Sequence, residues 1–322
     1  MSATPELDVE RSDERPVPPR EGRRRHLSDR SRAERNLGWR LAMPAFAIMV
    51  AVTGYPILQA IWNSFFSYRL TDPENKHFTF LSNYWVALKD GVFWQAVGVT
   101  FLITVITVVV EFFLGMVIAM VMHKIVIPRR TLRTIVLIPY SIITVVSAFA
   151  WFFAFRTDSG FVNHWFSWVP GIDPSTDWFG NFWGSIFVIC LSEIWKTTPF
   201  MSLLLLAGLA QIDTSMEEAA EVDGATYWQR LTRVILPNMK AAIMVALLFR
   251  TLDAFRIFDN IFIMTGGANG TSSLSVLTYN QTIDRVEIGM GSALAVLLFL
   301  FVLLIAFIFV KAFKVDLAGG RS

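Results

Sequence analysis

Six stretches of this chain are long and apolar enough to leave few folding options: 39–62, 93–122, 131–155, 182–210, 240–264 and 290–313. A helix needs about 20 apolar residues to cross the hydrocarbon core of a bilayer, and each stretch supplies them. The strands of a membrane barrel would alternate apolar and polar residues, whereas these runs are apolar all round. The second and fourth are long enough to tilt or to project beyond the bilayer. Composition agrees, since apolar residues make up 54% of the 322 and charged residues only 17%, too little polar surface for a soluble domain of this size. The predicted fold class is therefore all-α, a polytopic membrane protein of six transmembrane helices.

The basic residues give the orientation. An Arg-rich tail (1–36), the turn HKIVIPRRTLR (123–133) and Lys311 with Lys314 fall on one side, while the loop 156–181 carries only Arg156, at its edge. The basic side is read as cytoplasmic, with both termini inside. The tail mixes Arg with Asp and Glu and has almost no aromatic residues, so disorder is expected over 1–36. A membrane domain follows over 37–315, and a short cytoplasmic tail over 316–322. A net charge of +2 gives no basis for a nucleic-acid partner, and the single Cys190 excludes a disulfide within the chain. The four histidines are far apart without ligand spacing, so no metal site is expected.

Between spans four and five, on the cytoplasmic side, the chain reads EEAAEVDGATYWQRLTRVILP (217–237). Ser215 with Glu218 forms a capping-box pattern, and Thr214 with Glu217 offers a second register. Gly224 is placed to end that helix at positive φ. Thr226 and Gln229 repeat the capping pattern, and Pro237 marks the end of a second helix. Ala219 and Ala220 leave a bare surface on which another backbone can approach closely. From these residues alone the stretch is either a docking element or a solvated connector.

Glu218-Ala219-Ala220, then Gly224, then Val234, Leu236 and Pro237 resemble the EAA loop of membrane subunits of ATP-binding-cassette (ABC) importers. The similarity continues in the sugar-uptake branch, of maltose/trehalose type. Tyr55-Pro56 with Ser64-Phe65, Arg133, Pro139, Trp151, Gly160 and Asn163 carry it before the loop, with WKTTPF (195–200) and Ala207-Gly208-Leu209 leading in. Phe258-Asp259, Thr265-Gly266-Gly267, Gly289 and Ser292-Ala293 carry it beyond. Ala268 departs from the pattern, standing where the family usually has proline. The resemblance implies a type I importer permease in a bacterial plasma membrane, moving a disaccharide such as trehalose. Its partners would be a second homologous permease, two copies of an ATP-binding subunit and an extracytoplasmic sugar-binding protein, within membrane lipid. It also implies that the loop 214–237 is a coupling helix seated on the ATPase, through Glu218, Ala219, Ala220, Asp223, Gly224, Leu236 and Pro237.

The Gly-rich run TGGANGTSS (265–273) lacks the lysine of a phosphate-binding loop and lies on the outer side. ATP and Mg are therefore assigned to partner subunits, and no cofactor and no catalytic site to this chain. A self-sufficient secondary transporter is the alternative; it would show inverted halves and a broken helix pair, and no half-to-half symmetry is visible. Charges inside the spans are the remaining signal, because each costs about 2.5–3.5 kcal/mol at a helix centre. On a continuous span five, Asp253, Arg256 and Asn260 would share one face, flanked by Arg250 and Asp259. They read either as ion pairs locking helices together or as a sugar-binding lining, with Trp151 or Phe258 offering a flat face to the ring. Glu111 and a Glu193–Lys196 pair read as structural, and Pro199 as a kink in span four.

Overall fold

The computed structural model describes residues 29–124 and 129–312. The tail up to residue 28, residues 125–128 of the basic turn, and 313–322 with Lys314 and the C-terminal tail lie outside the described residues. The chain divides into two units, Met1–Pro56 and Ile57–Ser322. In the first, helix α1 (Asp29–Met49) begins inside the stretch read as disordered, and continues through a π-helical turn (Val50–Gly54). Thr53 donates its hydroxyl to the Met49 carbonyl there, at 2.7 Å.

Helix α2 (Tyr55–Asn63) leads into the second unit. A hairpin follows, β1 (Phe66–Arg69) antiparallel to β2 (Asp72–Phe78), pairing Phe66 with Phe78 and Ser67 with His77. No strand was expected here. The edge-to-face contact of Phe66 with Phe78, centroids 5.4 Å apart, supplies a cross-strand pair that a tight turn can close. The short α3 (Ser82–Lys89) precedes α4 (Gly91–Lys124), whose 34 residues make it about 51 Å long, well beyond the hydrocarbon core.

The third expected span is two helices, α5 (Arg129–Ser141) and α6 (Thr144–Phe155), bent by 80°. Pro139 lacks the N–H of a continuing helix. Ile142 N–H then closes a tight turn on the Pro139 carbonyl, and the Ser141 hydroxyl takes the Leu137 carbonyl at 2.9 Å. After the one-turn α7 (Val162–Trp165), α8 (Phe182–Leu209) runs unbroken through Pro199, so the expected kink interrupts no helix. The connection that follows α8 holds α9 (Thr214–Val222), α10 (Tyr227–Arg230), a π-helical segment (Leu231–Ile235) and α11 (Leu236–Asn238).

The fifth expected span is also discontinuous. Helix α12 (Lys240–Ala254) stops, the chain unwinds through Phe258 at φ −136°, and α13 (Asp259–Met264) restarts it. Ser273 donates to the freed Ile257 carbonyl at 2.9 Å, which satisfies backbone that lipid could not. A short α14 (Leu274–Tyr279) and the long apolar α15 (Ile288–Ala312) complete the unit. Among the described residues, four helices are thus long and apolar enough to cross a membrane, five if the bent α5–α6 pair counts as one span, against the six expected.

Helices α4 and α8 form the centre of the second unit. Two apolar clusters lie along them, one around Ile103, Ile189 and Ile261, the other around Met116, Met201, Leu205 and Met239. Small residues allow the close approaches, as expected where helices pack within a bilayer. A Cβ on Gly115 would come within 2.9 Å of the Met201 side chain, and one on Gly208 would overlap Ala242, whereas Gly98 has open space around it. Gly208→Val should therefore lower stability by about 1–3 kcal/mol through overpacking of α8 on α12. Thermal unfolding of the purified protein checks this, with Gly98→Val as the control that should unfold near the wild-type temperature.

Candidate functional site: a buried ion cluster, a polar cavity and a connecting loop

Between the two apolar clusters, α4, α8 and α12 bring their charges together. Arg250 is fully buried and receives three carboxylates. Its guanidinium donates to both oxygens of Glu111, through Nε and, at 3.0 Å, through Nη2. Nη2 also reaches Glu193 Oε1 at 2.8 Å, and Nη1 reaches Asp253 Oδ2 at 2.9 Å. Thr197 donates its hydroxyl to Glu111 at 2.7 Å, and Asn260 donates its amide to Glu193 at 2.6 Å. Glu111 is thus ion-paired, as read. Glu193 is not paired with Lys196: one turn of α8 separates them, but Arg250 and Asn260 take both carboxylate oxygens.

A polar cavity of about 410 Å³ borders this cluster, where α12 breaks before α13. Five of the candidate pathway residues line it, namely Asp253, Arg256, Phe258, Asp259 and Asn260. They do so by a route other than a shared helical face, since the helix is interrupted between Asp253 and Asn260. Asp253 is exposed while Asn260 is buried. Trp151 is not among the lining residues; its ring packs edge-on against Trp195 and stacks on Phe155. Phe258 stacks on Phe262 with centroids 5.0 Å apart, so only part of its ring is available to a ligand. Tyr140, Thr144, Lys196 and Thr197 also line the cavity and were not singled out for it from sequence. The hydroxyls of an apolar span carry too little charge to stand out.

The loop 214–237 is built from local signals. The N-cap of α9 is Asp213, which accepts from Ser215 N–H at 3.0 Å, so neither Ser215 nor Thr214 is the cap, and Glu218 does not close a capping box. That backbone hydrogen bond, and then one from the Ser215 hydroxyl, hold the Asp213 carboxyl below its usual range. Gly224 has φ +76°. Ala225 N–H reaches the Ala220 carbonyl at 2.9 Å and Gly224 N–H the Glu221 carbonyl at 3.0 Å, a Schellman closure. Thr226 and Gln229 form the expected capping box that opens α10.

Arg230 pairs with Glu221 across the turn, and Tyr227 reaches back to Met120 on α4. Leu236 packs against the lower apolar cluster, while Pro237 sits in the first turn of α11 and does not end the helix at that residue. Glu218, Ala219, Asp223 and Gly224 are exposed, with Ala220 half-buried. Sequence reasoning missed the apolar side chains exposed around them: Val222 at 88% and Trp228 at 70%. Exposed apolar residues beside a capped acidic helix are what a docking element presents.

The chain belongs to the family of binding-protein-dependent transport system inner membrane components, whose model matches residues 111–314. It is a multi-pass membrane permease of the ABC-importer fold. It is 47% identical over 289 residues to the trehalose transport system permease protein SugA of Mycobacterium tuberculosis (strain ATCC 25618 / H37Rv), covering 90% of this chain and 92% of that one. It is 35% identical to the trehalose/maltose transport system permease protein MalF of Thermococcus litoralis, covering 86% and 94%. Among solved structures, its fold is similar to a bacterial ABC transporter that imports the acidic polysaccharide alginate. There the TM-score is 0.75 at 19% identity, with 88% of this chain and 97% of that one covered.

Removing Arg250 would leave the buried carboxylates of Glu111 and Glu193 facing one another without a counter-charge. Arg250→Met should therefore destabilise the protein by about 3–5 kcal/mol. Glu111→Gln keeps the hydrogen bond to Thr197 and should cost less. Denaturant titration of the two variants in one detergent checks the order; equal stability would remove the cluster from its structural role.

Proposed function

We propose that this chain is one of two permease subunits of an ATP-driven importer for a disaccharide, trehalose being the first candidate. The observation that carries the reading is the break in α12–α13 against the polar cavity. Unwound backbone at membrane depth is tolerated where it lines a polar cavity, and there Asp253, Arg256, Asp259 and Asn260 line the cavity together. Sugar hydroxyls both donate and accept, and such a mixed wall suits them. The similarity to trehalose and trehalose/maltose permeases over most of the chain supports this substrate class.

In this reading the loop 214–237 is the coupling element. Glu218, Ala219, Ala220, Asp223 and Gly224 meet the ATPase, while Leu236 and Pro237 connect the loop to the spans. ATP and Mg bind to two copies of that partner, and this chain holds no cofactor and catalyses no step itself. A second permease completes the pathway, and an extracytoplasmic sugar-binding protein delivers the sugar. A solved alginate importer with 20% identity to this chain is recorded with its own pentasaccharide-bound periplasmic protein. The termini are cytoplasmic, so closure of the ATPase pulls on α9 and rocks the spans.

Deleting the chain from its host should abolish uptake of labelled trehalose from a disaccharide panel, and returning it should restore uptake and co-purify an ATPase. Gly224→Val should insert but restore about a tenth of the uptake or less. Nothing lies within 4 Å of that position, so the whole effect is backbone strain, about 1–3 kcal/mol for a β-branched residue at positive φ. Unchanged uptake after deletion, or sugar movement by this chain alone without ATP, would overturn the reading.

Orientation has its own check, on a Cys190→Ser background. A cysteine at Ser175 should react with an impermeant thiol reagent from outside, and one at Ser215 only once the membrane is opened. The reverse pattern would place the loop on the wrong side for an ATPase.

A further inference from the structure

Beside the Arg250 cluster, the cavity holds two buried polar groups without a protein partner. Lys196 on α8 is only 8% exposed and lines the cavity. Among the described residues its ammonium meets no carboxylate and no carbonyl; its one contact is the face of Tyr140, 5.6 Å from the ring centroid. Glu193, the acid one turn before it, is committed to Arg250 and Asn260. Asn260 is itself 1% exposed. Its Nδ2 donates to Glu193, which fixes the orientation of the amide, and its Oδ1 has no donor among the described residues.

An ammonium carries three donors and no acceptor, and a ring face satisfies none of them as a hydrogen bond. Leaving such a group buried and unpaired is costly, and an unmatched amide oxygen in the same wall adds to the cost. The ammonium's deficit is met by a ligand oxygen in the cavity, and a sugar hydroxyl or acetal oxygen is such an acceptor. The charged residues of the wall are Glu193, Lys196, Asp253, Arg256 and Asp259, three acids against two bases. That balance disfavours an anionic ligand and leaves a neutral polyol as the chemical match.

We propose that Lys196 is a specificity-determining residue of this cavity. Its ammonium donates to a hydroxyl or acetal oxygen of a neutral sugar held in the cavity. The assignment rests on the reading of the cavity as the sugar pathway and adds which atoms hold the substrate.

The test uses the complex purified from its host through a tag on this chain and reconstituted in vesicles. Uptake of labelled trehalose and ATP hydrolysis are measured together, for wild type, Lys196→Met and Lys196→Arg. Lys196→Met keeps the aliphatic stem and loses the charge. Its uptake should fall by about tenfold or more, the factor carried by one hydrogen bond to a charged group, and ATP consumed per sugar should rise in proportion. Lys196→Arg should recover part of the uptake.

Wild-type uptake by Lys196→Met would overturn the proposal. So would an equal loss of assembly, ATP hydrolysis and uptake in both variants, which marks a structural lysine. Preference of the wild type for an acidic disaccharide over trehalose would overturn the neutral-polyol assignment. A wild-type complex that moves no sugar at all would instead refute the pathway reading, a result visible before any variant is made.

Discussion

A guanidinium buried in the middle of a membrane domain is tolerable only if its charge and its donors are all met. Arg250 meets that condition by drawing on three elements at once: Glu111 from α4, Glu193 from α8, and Asp253 from its own helix. The requirement fixes how α12 sits against the α4–α8 pair, because the planar fork accepts carboxylates in few directions. It also explains Thr197 and Asn260, which occupy the remaining carboxylate lone pairs. Apolar clusters flank the buried Arg250 and Glu111, so that pair matters more than it would at a surface.

The consequences extend outward from that point. With Asp253 held to Arg250, the last turn of α12 is tied to the cluster. The chain then unwinds over Phe255–Phe258 before Asn260 joins Glu193 from the start of α13. The polar cavity lies at that unwinding, lined by Asp253, Arg256, Phe258, Asp259 and Asn260. A straight helix would have carried the same charges past the site without gathering them. In α5–α6 a second break has a different cause, a proline followed by a serine that takes a backbone carbonyl. Broken helices, named beforehand as a sign of secondary transporters, therefore occur here in a binding-protein-dependent permease.

The loop between α8 and α12 follows other rules, because its helices are short and each end must be satisfied locally. Asp213 opens α9, a glycine at positive φ closes it, and a capping box opens α10. The Arg230–Glu221 pair and the Tyr227 contact with Met120 then tie the loop to the end of α4. What is left exposed, Val222 and Trp228 with the acids between Asp213 and Gly224, is a surface ready for a partner.

Much of this was legible in the sequence, and the division has a physical basis. The apolar runs identified the membrane class, since hydrophobic length is a local property. Gly224 and the Thr226–Gln229 box were readable for the same reason: caps and left-handed turns are set within a few residues. The cap on α9 was displaced only from Ser215 or Thr214 to Asp213. Pairings between helices were not readable. Sequence proximity put Glu193 with Lys196, but a carboxylate takes the partner that best completes its hydrogen bonds, and that was Arg250, distant in sequence. The shared face of span five assumed an unbroken 3.6-residue period, which the break at Phe255–Phe258 cancels, although the cavity brings most of those residues together by another route. Trp151 was placed by aromatic packing against Trp195 and Phe155, away from the cavity lining. Residue type and local spacing determined which charges enter the membrane. Only the tertiary structure decided which of them neutralise one another and which, like Lys196, are left facing an open space.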